Sequence, residues 1–169
     1  MQRRFALVCM GRLAGGGAAL LAGCGFQLRA SQNFAFTSIA VLPHPGGSLA
    51  TELRRSFGSA VQVLASEDAL TRAQIVVEIL QEQREKTVVG VNSSGQIREF
   101  QLRIRLKFRV RTPQGRELVP ETEIVQQRDI SFNESAVLAK EAEEVLLYRH
   151  MQTDIVQQLM RRLATLGLA

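Results

Sequence analysis

The sequence predicts an α/β two-layer sandwich: a mostly antiparallel β-sheet of about four strands with two amphipathic helices on one face. Three observations lead there. Residues 100–111 alternate apolar and polar without a break for 12 residues, which marks a strand with one buried face. Turn signals at Asn92-Ser93-Ser94-Gly95 and Thr112-Pro113-Gln114-Gly115 bracket that run, so neighbouring strands fold back beside it. Two further stretches, one after Ser48 and one ending near Leu166, repeat apolar residues at helical spacing.

Residues 1–23 stand outside that fold. Arg3, Arg4 and Arg12 are their only charges, and the apolar stretch from Phe5 to Ala22 is broken at Gly11-Arg12 and Gly15-Gly16-Gly17. Its clean part is too short for a membrane span, which needs about 20 apolar residues. It ends in Leu21-Ala22-Gly23-Cys24, the pattern of a bacterial lipoprotein signal. Cleavage before Cys24 leaves a thiol to be acylated, and Gly25 in place of Asp after it favours the outer membrane. Residues 24–35 are then a lipid-anchored tether, and 36–169 a single domain.

Residues 37–42 are β-branched and aliphatic and form the first strand, closed by Pro43-His44-Pro45-Gly46-Gly47. Ser48 is the expected N-cap of a helix running to about residue 60, with Leu49, Leu53 and Phe57 on its apolar face. Residues 61–64 have the composition of a short strand, and 66–72 that of a loop. Residues 75–91 begin apolar and turn polar, so they read as a long strand whose far end leaves the core. After the alternating strand, residues 118–132 return along it, with Pro120 at an edge or entry position. The last element is a long helix from about 136 or 140 to 166. Leu147, Met151, Ile155, Leu159 and Leu163 line one face of it. Each strand shows at most one apolar face, so one covering layer suffices.

Composition excludes several classes. Removing 23 residues from 169 leaves 146, enough for one domain with its own core. Three of the 21 basic residues leave with the signal, so 18 stand against 16 acidic, a net +2. Bulk charge therefore does not argue for nucleic acid. Cys9 leaves with the signal and Cys24 is acylated, so the mature chain has no disulfide, thiol-redox or zinc motif. His44 and His150 are far apart and belong to no motif. No nucleotide loop, nucleophile elbow or metal signature is present, so no cofactor and no enzymatic activity are expected.

The odd positions of the alternating strand carry Arg103, Arg105, Lys107, Arg109 and Arg111 in file. Neighbours two residues apart lie about 6.6 Å from each other. Each such pair repels by roughly 0.6 kcal/mol in water and by about 2.5 kcal/mol at an effective dielectric near 20. Something must offset this. Carboxylates on adjacent strands are one source: Glu78 and Glu82 on one side, Glu121, Glu123 and Asp129 on the other. An anionic ligand along the sheet is the other.

Three segments together resemble the LptE family of lipopolysaccharide-assembly lipoproteins. They are Gly23-Cys24-Gly25-Phe26-Gln27-Leu28-Arg29, then Gly95-Gln96-Ile97-Arg98-Glu99-Phe100-Gln101-Leu102, then Ala139-Lys140-Glu141-Ala142-Glu143 with the helix ending Gln158-Leu159-Met160-Arg161-Arg162-Leu163. The resemblance implies a non-enzymatic protein that plugs an LptD-like outer-membrane β-barrel, assists its assembly and binds lipopolysaccharide. It also implies lipid anchoring on the periplasmic side, largely within the barrel lumen. Lys140 matches a basic position that the family uses for lipopolysaccharide. The family also carries a basic residue in the hairpin, where this chain has Asn92, Ser93 and Ser94. Arg98, or Arg103, Arg105 and Lys107, are the substitutes available. The competing reading is an envelope lipid carrier or assembly lipoprotein working without the barrel, which requires a ligand cavity between sheet and helices.

Overall fold

A computed structural model describes residues 32–65 and 69–167, so the expected signal, Cys24 and the first part of the tether lie outside the described residues. The elements are β1 Ser38–Leu42, α1 Ser48–Ser56, β2 Gln62–Leu64, α2 Ala69–Arg72, β3 Ile75–Val91, β4 Ile97–Arg111 and β5 Glu117–Ser131. A 3-10 turn at Glu134–Ala136 leads into α3, Val137–Ala164.

The α/β sandwich is present, with five strands in the order β2-β1-β3-β4-β5 instead of about four. β3, β4 and β5 pair antiparallel, while β1 runs parallel to both β2 and β3. The sheet is therefore mixed. The cause is local: a tight turn reverses a strand, whereas the helix α1 between β1 and β2 is a crossover that returns the chain in the same direction.

The main core fills the space between the sheet and α1 with α3. Ile39, Leu53, Ile104, Leu106, Phe108, Met151, Ile155 and Leu159 all belong to it and are buried. The even positions of β4 and the expected face of α3 thus meet in one layer, with Leu147 only partly covered. A second, small cluster of Ala40, Ala73 and Val76 lies apart from it, packed by Leu42, Leu64 and Leu70. β1 and the start of β3 are thus buried on both faces, so one covering layer does not suffice there. The unbroken run Ile75-Val76-Val77 is the sequence form of such a strand. The one-turn helix α2 supplies part of that cover, where a loop was expected.

α1 also departs from expectation. It ends at Ser56, with Gly58 just beyond at φ +55, a conformation that a side chain resists. It is capped by Gly47, and Ser48 already lies inside the helix. The Ser48 hydroxyl donates instead to Glu82 Oε1 at 2.6 Å, and Leu49 N donates to Glu82 Oε2 at 3.2 Å. A carboxylate from β3 thus satisfies the free donor of the first helical turn, where the helix dipole also favours negative charge. A Cβ at Gly47 would stand 2.2 Å from that carboxylate, which explains a glycine there.

Candidate functional site

β3 determines where the charged residues go. Ile75, Val77 and Ile79 face the helices, opposite Val110 and Phe108 of β4. Leu80 is then an extra residue in the ladder, between the pairs Ile79–Phe108 and Gln81–Lys107. A bulge of one residue exchanges the two faces of a strand. Beyond it the even residues Glu82, Arg84 and Lys86 stand opposite Leu106, Ile104 and Leu102 and face the helices. Gln83 and Glu85 stand opposite Arg105 and Arg103 on the open face.

The basic file on that open face is matched by acids. Arg103 and Arg105 lie 3.6 and 3.4 Å from Glu85, and Arg105 lies 3.6 Å from Glu123. Lys107 lies 3.9 Å from Glu121. Arg111 Nε donates to Glu78 at 2.7 Å, and Arg109 donates to its other oxygen. Glu78, Glu121 and Glu123 are partners as expected. Glu82 is not, because the bulge turns it to the helix side. Glu85, unnamed at the sequence level, takes its place. Asp129 accepts from Gln101 at 3.1 Å instead of from a cation.

Burial works to raise the Glu78 carboxyl, but the hydrogen bonds and charges of Arg109 and Arg111 together outweigh it and hold it below its ordinary 4.5. A depressed folded value means that the stabilisation is present above the unfolded value and is lost as pH falls through the folded one. Glu78→Gln should therefore flatten the acid limb of a plot of Tm against pH from 7 to 2. A variant profile parallel to that of the wild type would show that the pairs contribute nothing.

The second group of cations lies at the other end of the sheet. The buried positions of α3 begin at Met151, so the preceding turns of the helix stand over the polar half of β3. Polar contacts join them. Lys86 Nζ meets Glu144 Oε2 at 2.6 Å, Arg84 donates to Gln152 at 2.8 Å, and the Tyr148 hydroxyl donates to the Glu85 carbonyl at 2.8 Å. Lys140 folds back onto β5: its Nζ donates to Ser131 Oγ at 2.9 Å and meets Glu143 at 2.8 Å. Lys86, Phe100, Phe132, Lys140, Glu141 and Glu144 line a small cavity of about 60 Å³ there. Phe100 and Phe132 meet edge to face at 5.3 Å, and Lys86 Nζ stands 4.4 Å over the Phe100 ring. Other apolar side chains on these turns of α3 are open to solvent, with Leu138 82%, Val145 58% and Leu146 49% exposed. Arg98, the extra residue of β4 between the pairs Gly90–Glu99 and Val91–Ile97, is exposed; its carbonyl accepts from Phe132 N at 2.7 Å, and its side chain has no hydrogen-bond or ion-pair partner among the described residues.

The structure therefore divides the expected site residues. Arg98 and Lys140 belong to the far end of the sheet, Lys140 on its helix side. Arg103, Arg105 and Lys107 lie on the opposite face, engaged by acids. Lys86 and Glu144 complete the cavity, and no periodic signal in residues 80–91 marks Lys86.

Comparison with known proteins decides what this arrangement belongs to. Residues 28–163 match the family model LptE, described as lipopolysaccharide-assembly. The chain belongs to that family. It is 28% identical over 153 residues to the LPS-assembly lipoprotein LptE of Pectobacterium atrosepticum, spanning 88% of this chain and 80% of the relative. The solution NMR structure of an uncharacterized lipoprotein B from Nitrosomonas europaea superposes with a TM-score of 0.71 at 29% identity, over 83% of this chain and 90% of that one. The rare lipoprotein B of Shewanella oneidensis shares the fold at a TM-score of 0.62 and 20% identity, over 76% and 94% of the two chains.

Proposed function

We propose that this chain is the lipoprotein partner of an LptD-like β-barrel that inserts lipopolysaccharide into the outer membrane. In this reading it is cleaved before Cys24, acylated there and held on the periplasmic side. It occupies the barrel lumen as a plug, assists barrel assembly, and binds lipopolysaccharide through Lys140 with Arg98 nearby. Family membership supports the assembly role. The observation that carries the binding role is the Lys140 ammonium, 23% exposed, seated on Ser131 beside a phenylalanine-lined cavity. A cation near the start of a helix opposes the helix dipole, and Lys140 is held there by Glu143 and Ser131. Lipopolysaccharide presents phosphates next to acyl chains, which such a site matches in both parts.

Lys140→Gln should weaken lipopolysaccharide binding about tenfold, roughly one charge-assisted hydrogen bond, without changing the thermal transition. Binding equal to wild type would remove Lys140 from the site. The barrel role is tested by isolating the acylated chain from envelopes. Co-purification with a large outer-membrane barrel is expected, and recovery only as a free monomer would count against it.

The basic file is tested separately. Its acids already offset it, so the triple change of Arg103, Arg105 and Lys107 to Gln should lower stability by about 1–2 kcal/mol. Lipopolysaccharide binding should be unchanged. Lost binding at unchanged stability would move the site to the open face. The lipid-carrier reading finds less support, because buried side chains fill the space between sheet and helices that its cavity would need.

A further inference from the structure

The cavity beside Lys140 has a second cation, and the helix that covers it supplies a carboxylate for each, with Glu141 also in the lining. Lys140 meets Glu143, and Lys86 meets Glu144. We propose that Lys86 is the second anion-contacting group of this site and that Glu144 holds it until an anion displaces the carboxylate. This rests on the lipopolysaccharide reading above.

Four observations carry it. Lys86 and Lys140 line the same cavity, although they come from β3 and α3. The Lys86 ammonium stands 4.4 Å over the Phe100 ring, which keeps it at the cavity when its ion pair opens. The hairpin, the other place to look for a second cation, holds none: Asn92 Oδ1 closes it by accepting from Ser94 N and Gln96 N at 3.0 and 2.9 Å. Finally, the Lys86–Glu144 pair is partly solvated, with side chains 38% and 22% exposed. Exposed pairs of this kind are weak. A phosphate carries up to two charges and three acceptor oxygens, so it competes with a single carboxylate for the ammonium donors. Arg84 lies two residues before Lys86 on the same face, 5.5 Å from the Tyr148 ring, and adds to the positive field that an arriving anion meets once Glu144 gives way.

The test uses the full processed chain with two probes, purified lipopolysaccharide and dephosphorylated lipid A. Lys86→Gln should weaken lipopolysaccharide binding by about five-fold, and Glu144→Gln should tighten it by up to about five-fold, the equivalent of one exposed ion pair. Lys86→Arg should restore binding. Both shifts should vanish with the dephosphorylated probe. The Glu144→Gln gain keeps the test decisive if Lys86→Gln folds poorly. If Lys86→Gln and Glu144→Gln bind like wild type while Lys140→Gln loses binding, the inference fails and the proposed function stands. If Lys140→Gln also binds like wild type, the site itself is refuted. Equal shifts with both probes would assign Lys86 an apolar packing role and overturn the inference.

Discussion

Phe108→Ala should cost about 3–5 kcal/mol of folding stability. The side chain is fully buried on β4, a strand paired on both sides. It stands opposite Ile79 of β3 and Thr122 of β5, and the Arg162 guanidinium of α3 lies 6.0 Å from its ring. Truncation therefore opens a cavity where three strands and the last helix meet, and a central strand has little freedom to collapse into it. Domains of this kind are stable by about 5–15 kcal/mol, so the loss is a large part of the whole. Urea denaturation should show a lower midpoint with an unchanged slope. The preceding residue, on the opposite face, supplies the contrast. Lys107 lies on the open face, 3.9 Å from Glu121 with both side chains well exposed, and Lys107→Gln should cost less than about 1 kcal/mol. Comparable losses at Lys107 and Phe108 would contradict the division of β4 into a buried face and a solvated one.

That division was legible in the sequence, because six apolar side chains at strict period two on β4 admit one arrangement. The antiparallel hairpins were legible for the same reason, since Gly95 and Gly115 stand at φ +80 and +95 where the chain must turn. α3 showed its face through Met151, Ile155, Leu159 and Leu163. What escaped were features with no periodic signature. The bulge at Leu80 sits where β3 passes from apolar to polar, so no apolar alternation reports the exchange of faces. Hence Glu82 was placed on the basic face and Glu85 was overlooked. In the fold, Glu82 caps α1 across 34 positions of sequence, a contact no local pattern reveals. The parallel pairing of β1 depends on the path of α1, which is a tertiary choice. Of the candidate site, Lys140 and Arg98 were reachable through the family resemblance, whereas Lys86 needed the register of β3 against β4.

Cys24→Ser should release the chain from the membrane whenever the barrel partner is absent. Each acyl methylene buried in lipid contributes about 0.8 kcal/mol, one chain holds a protein only marginally, and stable anchoring needs more than one. The proposed N-terminal modification meets that need, and serine presents a hydroxyl where the acylation requires a thiol. No helix among the described residues is long and apolar enough to cross a membrane. The exposed apolar side chains Leu138, Val145 and Leu146 are few, and small beside several acyl chains. In a strain depleted of the barrel, the wild-type chain should sediment with membranes and resist a high-salt wash, because acyl burial is not screened by ions. The variant should appear in the soluble periplasmic fraction, and mass spectrometry should find the acyl mass on Cys24 of the wild type alone. With the barrel present, both should fractionate with the outer membrane, the variant through protein contacts only. A variant that has lost residues 1–23 and still stays on membranes without the barrel would locate the anchor elsewhere and remove Cys24 from the proposal.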